Sequence, residues 1–244
     1  MIHPVLAISF LLLPLPAAAD DDAAALADHL DHLYRGDTTV AELEMTVRRP
    51  GRENRSRVRL WSRGTDRTLL RVVEPARVAG MATLRRAGDL WNYLPGTGRT
   101  MRVPASLLSS PWMGSHLTHD DLVQWSRFRR DYDCRFGDPP GAGSVLLTCP
   151  AKPGAAAEYS RIDVVVRKSD RTPETQRFHD PAGRLVRTLD CDEVRDVGGR
   201  RVPTRLTVRP ADAPDERTVL IYRDLRFGEP VDEALFTIQG LGTR

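Results

Sequence analysis

The chain has 244 residues, 41% hydrophobic and 28% charged, with 36 Lys and Arg against 33 Asp and Glu and a net charge of +3. The basic residues are spread along the chain and interleaved with acids. No contiguous basic stripe forms, which excludes a nucleic-acid-binding surface and leaves no nucleic acid among the expected partners. Nearly all cations are Arg, with Lys152 and Lys168 as exceptions; scattered Arg suits solvated strand faces, an anionic headgroup or a membrane surface.

Val5 to Leu15 is an almost purely apolar run, too short to span a bilayer as a mature helix. Pro16 and the small residues Ala17-Ala18-Ala19 follow, the pattern signal peptidase needs. This predicts a signal peptide over residues 1–19, cleaved near Ala19, and a single exported, periplasmic domain over 20–244. The n-region is weak, holding only His3. No Cys stands at the cleavage point, so a lipid anchor there is not expected, and no later segment has the 18 or more apolar residues of a membrane helix.

Residues 22–35, with Leu26, Leu30 and Leu33 or Tyr34 at helical spacing, read as an amphipathic helix begun by Asp20-Asp21-Asp22 and stopped by Gly36. Alternation of period two then takes over. Ala41, Leu43, Met45 and Val47 share one face, with Glu42, Glu44, Thr46 and Arg48 on the other. Further strands are expected at 57–61, 67–73, 82–86, 90–94, 100–103, 127–136, 144–149, 160–167, 174–179, 184–192, 201–209 and 217–225. Turns at Pro50-Gly51, Pro95–Gly98, Pro181–Gly183 and Val197–Gly199 join them. About a dozen strands with short connections imply a mainly β antiparallel meander.

Two features interrupt it. Residues 105–125 carry Leu107, Leu108, Trp112, Met113, Leu117 and Leu122 outside any strand. Thr118 fits there as the N-cap of a short helix with Asp120 and Asp121 in its first turn. An apolar insertion in a meander must be buried, and the concave face of a curled sheet is the place available. The second feature is Gly137–Gly143, an obligatory turn. If the hairpin is centred between Gly141 and Ala142, Cys134 falls opposite Cys149, close enough to form a disulfide. Cys191 is then left unpaired.

In order along the chain, Arg35-Gly36-Asp37, Trp61-Ser62-Arg63-Gly64, Leu90-Trp91-Asn92-Tyr93-Leu94-Pro95, Arg99-Thr100-Met101-Arg102-Val103-Pro104, Ser110-Pro111-Trp112-Met113-Gly114-Ser115, Asp120-Asp121-Leu122-Val123 and Gly198–Arg205 make the sequence resemble the outer-membrane lipoprotein-sorting family, related to the periplasmic carriers LolA and LolB. The resemblance implies a half-open, LolA-like β-barrel curled around a few short helices that form a lid, with an apolar cavity for acyl chains. It also implies lipid or lipoprotein partners and, for transfer across the envelope, an inner-membrane transporter of ABC or RND type. His116 and His119 depart from the pattern, and the family does not require the cysteine pair.

Trp61, Met81, Trp91, Tyr93, Met101, Leu107, Leu108, Trp112 and Met113 are the candidate cavity and lid residues. Thioethers adapt to flexible chains while rings stay rigid. Composition alone favours an ordinary closed core, and it is the resemblance that turns the reading toward a cavity; Trp61 alternates with Val58 and Leu60 in a way that allows it to face outward. Arg99 and Arg102 are candidate headgroup contacts. The His116-x-x-His119-Asp120-Asp121 cluster is read as capping and solvation rather than a metal site. Ser110 or Ser115 with a His and an Asp lacks a nucleophile elbow. No enzyme activity and no cofactor is expected. The reading is a carrier or chaperone for an acyl-bearing ligand; the alternative is an accessory protein that docks on an envelope transporter without binding lipid.

Overall fold

The alternation at residues 41–47 becomes strand β1 (Thr38–Arg49). Ala41, Leu43, Met45 and Val47 are all buried on one side of it. The computed structural model describes residues 17–124 and 127–242; most of the expected signal peptide lies outside them. After β1 come β2 (Arg52–Arg63), β3 (Arg67–Glu74), β4 (Ala82–Arg86), β5 (Asp89–Leu94) and β6 (Arg99–Arg102). Beyond a non-strand insertion follow β7 (Arg135–Gly137), β8 (Ser144–Pro150), β9 (Arg161–Arg167), β10 (Pro173–His179), β11 (Leu185–Val197), β12 (Arg200–Pro210) and β13 (Arg217–Phe227).

All 13 strands form one antiparallel sheet in the order β6-β5-β4-β3-β2-β1-β13-β12-β11-β10-β9-β8-β7. The first strand pairs with the last, Ala41 opposite Leu225 and Met45 opposite Leu220. The two edges are therefore β6 and β7, neighbours in sequence but not paired. The sheet is not closed into a barrel, and its open seam is where the chain from Val103 to Cys134 runs. Side chains from both halves, including Met45, Val58, Val164 and Leu206, join one apolar cluster, so the sheet curls around it.

Helix α1 (Ala17–His32) supplies Ala23, Leu26, Ala27 and Leu30 to this cluster. It ends earlier than Gly36, because Tyr34 leaves the helical path. The Tyr34 hydroxyl donates to the Pro203 carbonyl at 2.8 Å and its ring stacks on Tyr222. The insertion contains α2 (His119–Gln124) and α3 (Phe128–Asp131). Thr118 caps α2 as expected: its hydroxyl accepts from Asp121 N, and Asp121 accepts from Thr118 N at 2.7 Å.

The expected strand at 127–136 is corrected to α3 followed by the short β7. The buried Asp31 carboxylate accepts from Phe128 N and Arg129 N, which folds that stretch into a turn against α1. Immediately after it the Cys134–Cys149 disulfide forms, with a Cα separation of 4.0 Å. The register Arg135↔Thr148 and Phe136↔Leu147 continues to that pair. Cys191 is free and buried.

A second apolar cluster lies on the outer face, where Leu69, Ala82 and Leu84 meet Val231, Phe236 and Leu241 of the C-terminal segment. Arg71 and Arg86 donate to the carbonyls of Gly240, Leu241 and Phe236 and fasten that segment to the strands. A side chain at Gly240 would collide with the Ala234 carbonyl oxygen, so the close approach there requires glycine.

Candidate functional site: an apolar hollow under the insertion

Inside the curl two hollows adjoin. One, of about 90 Å³, lies between Leu30 of α1, Phe128 and Tyr132 of the insertion, and Ile162, Phe178 and Leu189 of the sheet. The other, of about 70 Å³, is lined by Leu43, Met45, Val58, Leu60, Leu70, Trp112, Leu220 and Tyr222. Tyr34 and Leu117 line both and form the partition. Pockets that enclose a drug-sized ligand run to roughly 300–1,000 Å³. The observed state is therefore closed, with room for a few atoms but not for an acyl chain.

The insertion that roofs these hollows is held by two polar systems. On the β4–β5 side, the Trp112 indole donates to Thr83 Oγ1 at 3.1 Å, and Thr83 donates to Asn92 Oδ1 at 2.8 Å. The Asn92 amide faces His119 Nε2 at 3.3 Å, and His119 Nδ1 faces the Ser110 carbonyl at 3.1 Å. These contacts form a continuous relay that joins Trp112 to His119 and Ser110 through β4 and β5. Ser110 Oγ is 3.4 Å from the same Nδ1. That nitrogen serves the carbonyl, however, and the hydroxyl donates to Leu107 O, so the pair closes a turn rather than activating a nucleophile.

On the β11–β13 side, Arg187 donates to both Asp121 oxygens and, at 3.3 Å, to the His116 carbonyl. The Arg187 guanidinium lies over the Tyr159 and Phe178 rings, 4.9 and 4.4 Å from their centroids. Burial opposes its charge, but Asp121 more than compensates and holds Arg187 firmly protonated. The His116 imidazole sits between Thr218 Oγ1 and Glu216 Oε2, each at 2.9 Å. His116 and His119 thus serve different partners. Among the described residues no group of three His, Cys, Asp or Glu side chains converges as metal ligands would.

The structure divides the expected cavity residues. Trp112 lines the smaller hollow, and Met81 and Met113 pack half-buried against the inner cluster. Leu108 is half-buried, while Met101 and Leu107 are 48% and 51% exposed. Trp61, Trp91 and Tyr93 belong to the outer face, against the C-terminal segment. Cross-strand pairing explains their placement: Val40↔Trp61, Trp61↔Leu69, Leu69↔Leu84 and Leu84↔Trp91 are one row. Thr83 and Asn92 occupy the inward positions beside that row. Arg99 is exposed and Arg102 pairs with Asp89 at the β5–β6 edge, both away from the hollows. Sequence reasoning missed Tyr34, Tyr159, Phe178 and Tyr222. Alternation along β10 and β13 signals inward positions there, but not that rings would gather around a void.

A family model described as an uncharacterized protein matches residues 64–243. The chain belongs to the family that this model describes. A DUF1329 family protein from Desulfovibrio piger has a TM-score of 0.82 at 23% identity, over 91% of this chain and 99% of its own. A domain described as outer membrane lipoprotein-sorting, from Vibrio parahaemolyticus, has a TM-score of 0.80 at 22% identity, over 92% and 100%. A LolA superfamily protein from Nitrosomonas europaea has a TM-score of 0.76 at 21% identity, over 89% and 98%. No curated protein matches the sequence. The LolA-like fold and the half-open sheet expected from sequence agree with these neighbours.

Beside the insertion Glu158 is the titratable oddity. Burial pushes its carboxyl up to about 7, and Asp121 adds to the effect while Arg187 opposes it. A folded-state pKa above the unfolded value gives stability that is present in acid and lost as pH rises from near 4.5 to about 7, on the order of a few kcal/mol at most. Glu158→Gln should therefore raise the thermal midpoint at pH 8 and change it little at pH 5. Equal shifts at both pH values in thermal denaturation would show that Glu158 is not the titrating group.

Proposed function

We propose that the protein is a periplasmic carrier of an acyl-chain-bearing ligand, a lipid or lipoprotein, and works by binding and release without catalysis. In this reading residues 1–19 are removed and 20–244 form one domain. The observation that carries it is the pair of adjoining apolar hollows inside a half-open sheet, roofed by a segment that crosses the seam. A disulfide between Cys134 and Cys149 fits an oxidising compartment, as does the apolar run at Val5–Leu15. Each buried methylene is worth about 0.8 kcal/mol, so a 16-carbon chain represents on the order of 12 kcal/mol and needs shielding to cross water. Trp112 and the insertion are the movable roof: their displacement joins the two hollows into a slot.

The test is native mass spectrometry of the purified protein for co-purifying lipid, together with displacement of an environment-sensitive apolar dye by lysophospholipid. Bound lipid and competitive displacement are expected. Absence of both would overturn the carrier reading and favour docking on an ABC or RND-type transporter without lipid.

A further inference from the structure

One cross-strand row on the inner face is polar. Thr39 pairs with Ser62, Ser62 with Thr68, and Thr68 with Arg85. All four are buried, Arg85 at 9% exposure. Thr39, Ser62 and Thr68, together with Arg35, close one end of the smaller hollow. Arg85 continues the row and shares its side of β4 with Thr83, the acceptor of the Trp112 indole. Within this row two groups lack partners: Thr68 Oγ1 and Arg85 Nε are buried without a hydrogen bond. Among the described residues Arg85 makes no ion pair.

Leaving a guanidinium buried and uncompensated is costly, and its surroundings add to that cost. Burial first, then the guanidinium groups of Arg35, Arg127 and Arg130, lower Arg85 to about 10, and the exposed Asp66 offsets them in part. Arg127 and Arg130 are themselves paired with Asp131, and Arg35 donates to the Gly64 carbonyl. Arg35 also lines a surface groove of about 660 Å³ with Gly64, Thr65 and Arg200, so this end of the hollow adjoins solvent. An apolar slot with a cationic, under-satisfied end has the shape of a site for an amphiphile.

We infer that Arg85, with Thr68 and Arg35, binds the anionic headgroup, phosphate or carboxylate, of the acyl ligand. This rests on the carrier reading and narrows its cargo to anionic amphiphiles. The headgroup supplies the acceptor that Arg85 Nε lacks, while the chain runs toward Leu60, Leu70 and Trp112. Charge-assisted hydrogen bonds of this kind are the strong ones.

The experiment measures binding of dodecyl phosphate, dodecanoate and uncharged dodecyl maltoside by dye displacement, with inorganic phosphate alone followed through the Arg85 Nε–Hε resonance. The wild type should prefer the two anionic probes by roughly tenfold or more. Arg85→Gln should lose that preference while still binding dodecyl maltoside, and Arg85→Lys should keep part of it. An unchanged preference in Arg85→Gln overturns the inference. If no dodecyl probe binds the wild type, the carrier reading fails. The phosphate titration then decides the anion site by itself: a shifted Arg85 resonance supports it and an unmoved one overturns it. A matching thermal midpoint for Arg85→Gln shows that the variant is folded.

Discussion

Arg187→Met should lower stability by about 3–5 kcal/mol, the usual cost of leaving one member of a buried ion pair alone. Both side chains of the Arg187–Asp121 pair are about nine-tenths buried. Without the guanidinium, Asp121 keeps its bonds to Thr118 but stays beside the acidic Glu158 with no cation to offset either. In a domain of this size the loss corresponds to a fall of roughly 10 °C in the thermal midpoint. Arg187→Met with Asp121→Leu removes both charges and should recover much of it. The single variant also unties the insertion from β11, so amide exchange should accelerate at residues 115–121 before it does in β1 or β12. A single variant as stable as the wild type, or exchange that speeds up uniformly, would mean that the pair does not hold the roof.

The half of the fold that follows from period-two alternation could be read directly. Ala41–Val47 specifies a buried face whatever pairs with it, and the symmetric turn around Gly141 and Ala142 fixes Cys134 opposite Cys149. Which face points into the curl is not a local property. Trp61 and Leu60 are both apolar neighbours on β2, and both are covered: Leu60 by the hollow and Trp61 by the C-terminal segment. A sheet apolar on both faces carries no alternation to choose between them, so nothing local in Leu90-Trp91-Asn92-Tyr93 reveals that Asn92 takes the inner side and Trp91 and Tyr93 the outer. The helical turn at Phe128–Asp131 escaped for a related reason. Its cap is Asp31, 97 residues upstream, and no window around residue 128 contains that information. Arg85 is hidden in the same way, in Leu84-Arg85-Arg86, where only the register separates an inward arginine from an outward one.

Trp112→Ala is the substitution that separates a roof from a core. Removing a buried Trp typically costs about 3–5 kcal/mol in lost burial and residual cavity, and here the Thr83 hydroxyl also loses its indole donor. Both readings of Trp112 therefore expect the ligand-free variant to melt at lower temperature. They diverge when an apolar probe is added. If the indole fills space that a chain occupies after opening, the variant has that space already open. The fraction of binding-competent molecules then rises, and apparent affinity rises with it. Dye affinity should increase by roughly tenfold, and saturating dye should restore much of the lost midpoint through linkage. Trp112→Phe, which keeps most of the volume but not the bond to Thr83, should cost about 1 kcal/mol and leave affinity near the wild-type value. A destabilised Trp112→Ala protein with no gain in dye binding would make Trp112 an ordinary core residue, and the roof would have to be sought elsewhere in the insertion.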